Sequence, residues 1–230
     1  MIEKTKKLST FNYFSSPIYS NEIPEWVNNI NKICDKYIKD AKKNNVKIIK
    51  EQEKKIKNYG LSYHSTSLLS EPNLKEFTNY VGTTSCSILE HMGYDLKDYE
   101  IFLTELWVQE FNEKGGGYHE SHVHYDNHIS GFYFLRCSDK TSLPVFHDPR
   151  PGKLMTQLPL KNEKEITLGT DKIHYKPKPG TMIFIPAYLT HEYIVDAGVE
   201  DFRFIHFNLQ AVQRMITDTV RKQATEQTNC

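Results

Sequence analysis

The 230-residue chain has little cysteine, only two tryptophans and no net charge. Four cysteines, none at C-x-x-C spacing, make neither a disulfide framework nor a thiolate metal site. They suit a reducing cytoplasm, as small core fillers or exposed bystanders. Twenty-nine Lys+Arg balance 29 Asp+Glu, which argues against a general nucleic-acid binder. No apolar run reaches the roughly 18 residues of a membrane span. The opening MIEKTKKLSTF lacks the apolar core of a signal peptide. Internal repeats and low-complexity linkers are missing too, so a single domain over 1–230 is expected. The charge is unevenly placed. Residues 1–60 carry 13 Lys against 7 acids, as a lysine-rich solvated helical face would.

What is present divides in two. Residues 24–44 read as an amphipathic helix, with Pro24 in the first turn and Trp26, Ile30, Ile33 or Cys34, and Tyr37 recurring every three or four positions. Residues 45–70 read as polar and irregular. A second helix spans 73–93, with Leu74, Phe77, Val81, Ile88 and Met92 on about one face and Gly93 as its stop. From residue 101 the pattern becomes short strands: ELWVQEF, ISGFYFLR, SLPVFHD, KIHYKP, TMIFIP, HEYIVD and DFRFIHFNL. The fold expected is mainly β, a jelly roll over about 101–210, with the helical segment 1–98 packed on one face. Residues 211–228 read as a C-terminal helix that packs or forms a homodimer.

Ten histidines are present, and His119, His122, His124 and His128 fall in one ten-residue window. In an extended strand alternate side chains share a face, so His122, His124 and Asp126 would point the same way, the arrangement that two adjacent ligands of a divalent metal need. The third ligand must come from a distant strand, and His191, in FIPAYLTHEY, starts one. Two triads remain open: His124, Asp126 and His191, or His122, His124 and His191. Without cysteine, either suits a metal of the iron or zinc kind, and two His plus a carboxylate with open positions is the non-haem Fe(II) pattern. His64, His147, His174 and His206 read as structural. Twelve residues beyond His191 stands Arg203. An inward-facing Arg is costly unless an anion meets it, and a dicarboxylate held by the metal at one end would do so. The bland alternative is a salt bridge to Asp201 or Glu200.

In these residues the chain resembles the Fe(II)- and 2-oxoglutarate-dependent oxygenases, and more narrowly a prolyl-hydroxylase-like family of such oxygenases from marine bacteria and their phages. The matching segments are GLSYHSTSLL, LWVQEF, YHESHVHYDNHISGFYFL, FHDPR, PGTMIFIPAYLTHEY and RFIHFN, from about residue 10 to 210. The narrower family reads H-x-H, then Ser-Gly, a distal His and an Arg. Here these are His122, His124, Ser130-Gly131, His191 and Arg203. The wider superfamily reads H-x-D, which His124-Tyr125-Asp126 satisfies out of phase. It also often has a Ser two residues after the Arg, where this chain has Ile205. The resemblance implies a double-stranded β-helix with Fe(II) at its open end, 2-oxoglutarate chelating the iron, and Arg203 on the far carboxylate. Tyr133 resembles a tyrosine that assists there, or is a core aromatic. O2 and a small-molecule or peptide substrate complete the reaction, a hydroxylation in the cytoplasm of a bacterium or a phage-infected cell. Arg150, in HDPRPGK, is a candidate substrate contact or an ion pair with Asp148.

Two other readings compete. A cupin shares the jelly roll, and Gly116 before His122 and His124, then Gly180, Pro186 and His191, fit its motifs. The Glu that a cupin carries four or five residues after its second His is absent, and Arg203 has no role in one. A non-enzymatic jelly-roll binding module needs the histidine cluster to be incidental.

Overall fold

A computed structural model describes residue 9 and residues 11–57, 60–217 and 219–220. In chain order the elements are β1 (Tyr19–Glu22), α1 (Val27–Asn44), α2 (Val46–Ile56), β2 (Ser62–His64), α3 (Lys75–His91), β3 (Tyr99–Phe111), β4 (His119–His122), β5 (Ile129–Arg136), β6 (Pro144–His147), α4 (Pro151–Leu154), β7 (Lys172–His174), β8 (Thr181–Pro186), β9 (His191–Tyr193) and β10 (Arg203–Gln213). The strands form a six-stranded sheet in the order β1-β8-β5-β10-β3-β2 and a four-stranded sheet in the order β4-β9-β6-β7. Their pairings are antiparallel. This is the expected mainly-β jelly roll, with helices on one face.

The two faces of the larger sheet meet different partners. One packs on the helices. Ile30, Cys34, Ile38 and Ala41 of α1 recur every three or four residues and are buried, as are Phe77, Val81, Ile88 and Leu89 of α3. They share a core with Tyr133, Ile205, Phe207 and Leu209. The other face meets the smaller sheet across an aromatic interior that includes Phe132, Phe134, Phe146, Tyr193, Phe202 and Phe204. Side chains alternate along a strand, so β10 sends Ile205 and Phe207 to the helices and Phe204 and His206 to the interior. At Gly131 a side chain has no room. An added Cβ would run into the Phe207 ring and the Ile183 carbonyl.

Two expectations are corrected. The stretch 45–70 is not all irregular. Val46–Ile56 is helical, half-burying Ile49 against α1's core, and Ser62–His64 adds a strand to the edge beside β3. The C-terminal stretch is not helical from 211. β10 runs on to Gln213 because its backbone pairs with β3 as far as Tyr99, and a helical turn follows at 214–217. The rest of that expected helix, and Cys230, lie outside the described residues, apart from 219–220.

Candidate metal centre

His122 ends β4 and His191 begins β9, and the two are direct cross-strand partners. Their ring centroids are 4.5 Å apart. His124 follows β4, with its backbone N–H bonded to the Ala187 carbonyl at 3.0 Å. That tie brings its Nε2 to 3.3 Å from His191 Nε2. One ligand nitrogen from each of His122, His124 and His191 lies within 4.8 Å of the others. Two nitrogens 3.3 Å apart, each about 2.1 Å from one ion, subtend about 100°, a normal angle for adjacent ligands.

The tautomers of two of the three histidines favour the same reading. His122 Nδ1 lies 2.6 Å from the Glu120 carbonyl and His191 Nδ1 2.9 Å from the Leu189 carbonyl. A carbonyl only accepts, so each Nδ1 carries the proton and each Nε2 is left as a lone-pair donor. His124 differs, because its Nδ1 accepts from the Asn208 side-chain NH2 at 3.1 Å, and a half-turn of that amide is needed before Nδ1 carries the proton and Nε2 is free. Burial, reinforced by the neighbouring imidazoles, pushes His124 down to about 4. Burial also takes His191 down to about 3. Both are neutral near pH 7, as metal ligation requires.

The structure does not bring Asp126 to this centre. β4 has ended by His122, and Asp126 sits in a turn at φ +60°, exposed. The strand alternation that would have aligned it stops four residues too soon, and Asp is among the few residues that tolerate a left-handed φ.

Arg203 is not there either. It lies on the helix-facing side of β10, opposite in parity to His206. Its Nε donates to Glu110 at 2.8 Å and its Nη1 to Asp35 at 2.6 Å and to Asn31 at 3.1 Å. The salt bridge is real, but its partners are Glu110 and Asp35. Asp201 pairs instead with Arg136 and Glu200 with Lys140. Tyr133 shares that face. It is fully buried, donates its hydroxyl to the Ile23 carbonyl at 2.6 Å and packs on Phe77. It is a core aromatic. Arg150 lies in the wall of a cavity with Phe11, Tyr13, Leu168 and Leu189. Its guanidinium grips Asp148 through Nε at 2.9 Å and Nη2 at 2.6 Å.

The histidines read as structural include two that surround the centre. The His206 ring is 4.6 Å from that of His124 and 4.5 Å from Trp107, and His64 lies 4.0 Å from Trp107. His119 reaches Gln109 Oε1 at 2.5 Å, and burial drops it to about 4. Strand parity was the signal that would have separated His206 from Arg203.

Residues 105–208 match a family described as "Putative 2OG-Fe(II) oxygenase". That match spans a little under half of the chain, and over it the chain is similar to that family. The family implies Fe(II) and 2-oxoglutarate as cofactors. No curated protein matches the sequence. Among solved structures, a Pseudomonas putida prolyl-4-hydroxylase has a TM-score of 0.51 at 8% identity, with 85% of this chain and 94% of that one covered. A non-heme monooxygenase, the ThoJ–Ni complex, has a TM-score of 0.50 at 7% identity, covering 84% and 73%. An oxidoreductase of the 2OG-Fe(II) oxygenase family from Burkholderia pseudomallei, at 14% identity and a TM-score of 0.38, covers 64% of this chain, which spans 58% of its length. At these identities the likeness is one of fold, the double-stranded β-helix.

The residues present fit one of these two cofactors better than the other. Three converging imidazoles suit Fe(II). For the far carboxylate of oxoglutarate the expected guanidinium is turned away. Among the described residues, the groove beside His122 and the recess at Glu105 are lined without Lys or Arg. Their polar lining is neutral or acidic, with Ser62, His64, Gln109, His119, Glu120 and Glu105 among it. No residue is assigned to that carboxylate. No helix of the described residues is long and apolar enough to cross a membrane.

Proposed function

We propose that the chain is a 2-oxoglutarate/Fe(II) oxygenase whose iron is held by His122, His124 and His191, and that it hydroxylates a small-molecule or peptide substrate. The observation that carries the assignment is the convergence of three imidazoles, two of them locked by backbone carbonyls with Nε2 free. Iron held there supplies O2 activation, with oxoglutarate oxidised to succinate and CO2 as a C–H becomes C–OH. The chain's own role is to orient and to exclude water. The Glu120 and Leu189 carbonyls fix two rings, and the Ala187 carbonyl fixes the backbone of the third. Phe132 backs the His191 ring at 5.3 Å and closes the interior side to solvent. His122 opens on the groove shared with Gln109 and Tyr118, which gives substrate a way in. Arg150 stands apart, beside a cavity walled partly by Leu189, and is offered as a contact for a substrate reaching that far.

The case for oxoglutarate rests on the family match, not on Arg203. The test is anaerobic loading with Fe(II), followed by metal analysis and succinate formation. His122→Ala, His124→Ala and His191→Ala should each lose turnover and bind less iron than the wild type, while Asp126→Ala keeps both at the wild-type level. Undiminished iron content and turnover in His191→Ala would refute the assignment.

A further inference from the structure

His206 is 1% exposed, and neither of its ring nitrogens has a hydrogen-bond partner. A neutral imidazole carries one donor and one acceptor, so both are unmatched in the interior, and such a group calls for an explanation, an ion or water among them. Its surroundings supply one. Glu105 Oε2 is 3.8 Å from His206 Nε2. One ligand atom from each of Glu105, His124 and His206 lies within 4.8 Å of the others.

We propose that Glu105, His124 and His206 form a second divalent-cation site that shares His124 with the triad. His124 has a nitrogen for each side. Its Nε2 faces His191, whereas its Nδ1 lies 3.1 Å from the Asn208 amide, which itself donates to Glu105 Oε2 at 2.8 Å. With both sites filled, His124 bridges them as an imidazolate, its single ring proton released to solvent. Ligand atoms on one ion lie up to about 4.2 Å apart at bonds of about 2.1 Å. A shift of the half-exposed Glu105 side chain closes the remaining gap. The Asn208 Oδ1 is also buried without a partner, and a half-turn of that amide would offer it as a fourth ligand. Glu105 lines a surface recess with His64, Ser67, Thr104 and Trp107, so an ion reaches this site without crossing the triad. Two imidazoles and a carboxylate suit zinc, iron, manganese or cobalt. The inference does not depend on the oxygenase chemistry.

The experiment uses the full chain, stripped of metal and dialysed against Zn(II), with zinc counted per chain. The wild type should bind two. Glu105→Ala and His206→Gln should bind one, and His122→Ala should also retain one. Losing the partner of a metal ligand already weakens binding about 10–100-fold. Losing the Glu105 ligand should therefore weaken the second zinc at least that much. Because Glu105 is half exposed, Glu105→Ala tests the site without burdening the fold. One zinc in the wild type, one in Glu105→Ala and none in His122→Ala would overturn the second site and leave the triad standing. One zinc that survives His122→Ala but not Glu105→Ala would uphold the second site and overturn the triad. With two Co(II) bound, a shared imidazolate should couple the ions and depress their paramagnetic resonance signal relative to Glu105→Ala. An undiminished signal would overturn the bridge.

Discussion

Arg203→Ala tests the reassignment of this residue from cofactor anchor to structural ion pair. Its side chain is 4% exposed and that of Glu110 8%. Two guanidinium nitrogens reach Glu110 Oε2, at 2.8 and 2.5 Å. Removing one partner of a buried pair costs about 3–5 kcal/mol, much of it from the charge left behind. Here Glu110 keeps Lys42 at 2.7 Å and Arg136 at 3.8 Å. Asp35, 54% exposed, is rehydrated and adds little. The loss should therefore sit at the low end, about 3 kcal/mol. For a domain of this size that lowers Tm by about 6–12 °C, at about 2–4 °C per kcal/mol. Iron content and oxoglutarate affinity should stay near wild type, because the residue faces α1 across the sheet from the histidines. Arg203→Met combined with Glu110→Gln should recover some of the loss, since no charge is then stranded. Calorimetry and oxoglutarate titration of the iron-loaded, oxygen-free proteins check both sides. An unchanged Tm together with an affinity loss of about 100-fold, or about 2.7 kcal/mol, would refute the reasoning and return Arg203 to the site.

Three further outcomes are expected. The metal-free protein should lose stability as pH falls from about 6.5, the value of an unfolded histidine, toward the depressed values of His119 and His124, about 4, and His191, about 3. In that window the unfolded chain binds protons that the folded chain refuses, so the loss approaches about 1.4 kcal/mol per pH unit for each histidine and ceases above it. Urea unfolding at several pH values measures this, and a flat profile between pH 6 and 4 would contradict it. Gly131→Ala should destabilise by at least about 1–3 kcal/mol, because its Cβ meets the Phe207 ring and a backbone carbonyl; thermal unfolding reads the loss. Arg150→Ala should leave iron binding unchanged, since its guanidinium is held by Asp148 in the wall of a separate cavity; metal analysis checks it.

The sequence alone determined the class of the fold, because short aromatic and β-branched runs separated by turn residues have few ways to bury themselves other than as packed antiparallel sheets. It also determined the helix α1, whose Ile30, Cys34 and Ile38 recur at helical spacing, and it singled out His122, His124 and His191. Long-range pairing could not be read from it. The choice between His122 and Asp126 turns on where β4 stops, and that depends on β9 lying beside it. Arg203 and His206 differ in parity on one strand, and both faces of that strand are buried. An alternation of apolar and polar residues marks the inward face only when the other face meets water. With helices on one side and the smaller sheet on the other, composition left the two faces of β10 equivalent. Tertiary packing decided which one held the histidines, and it turned the guanidinium to α1.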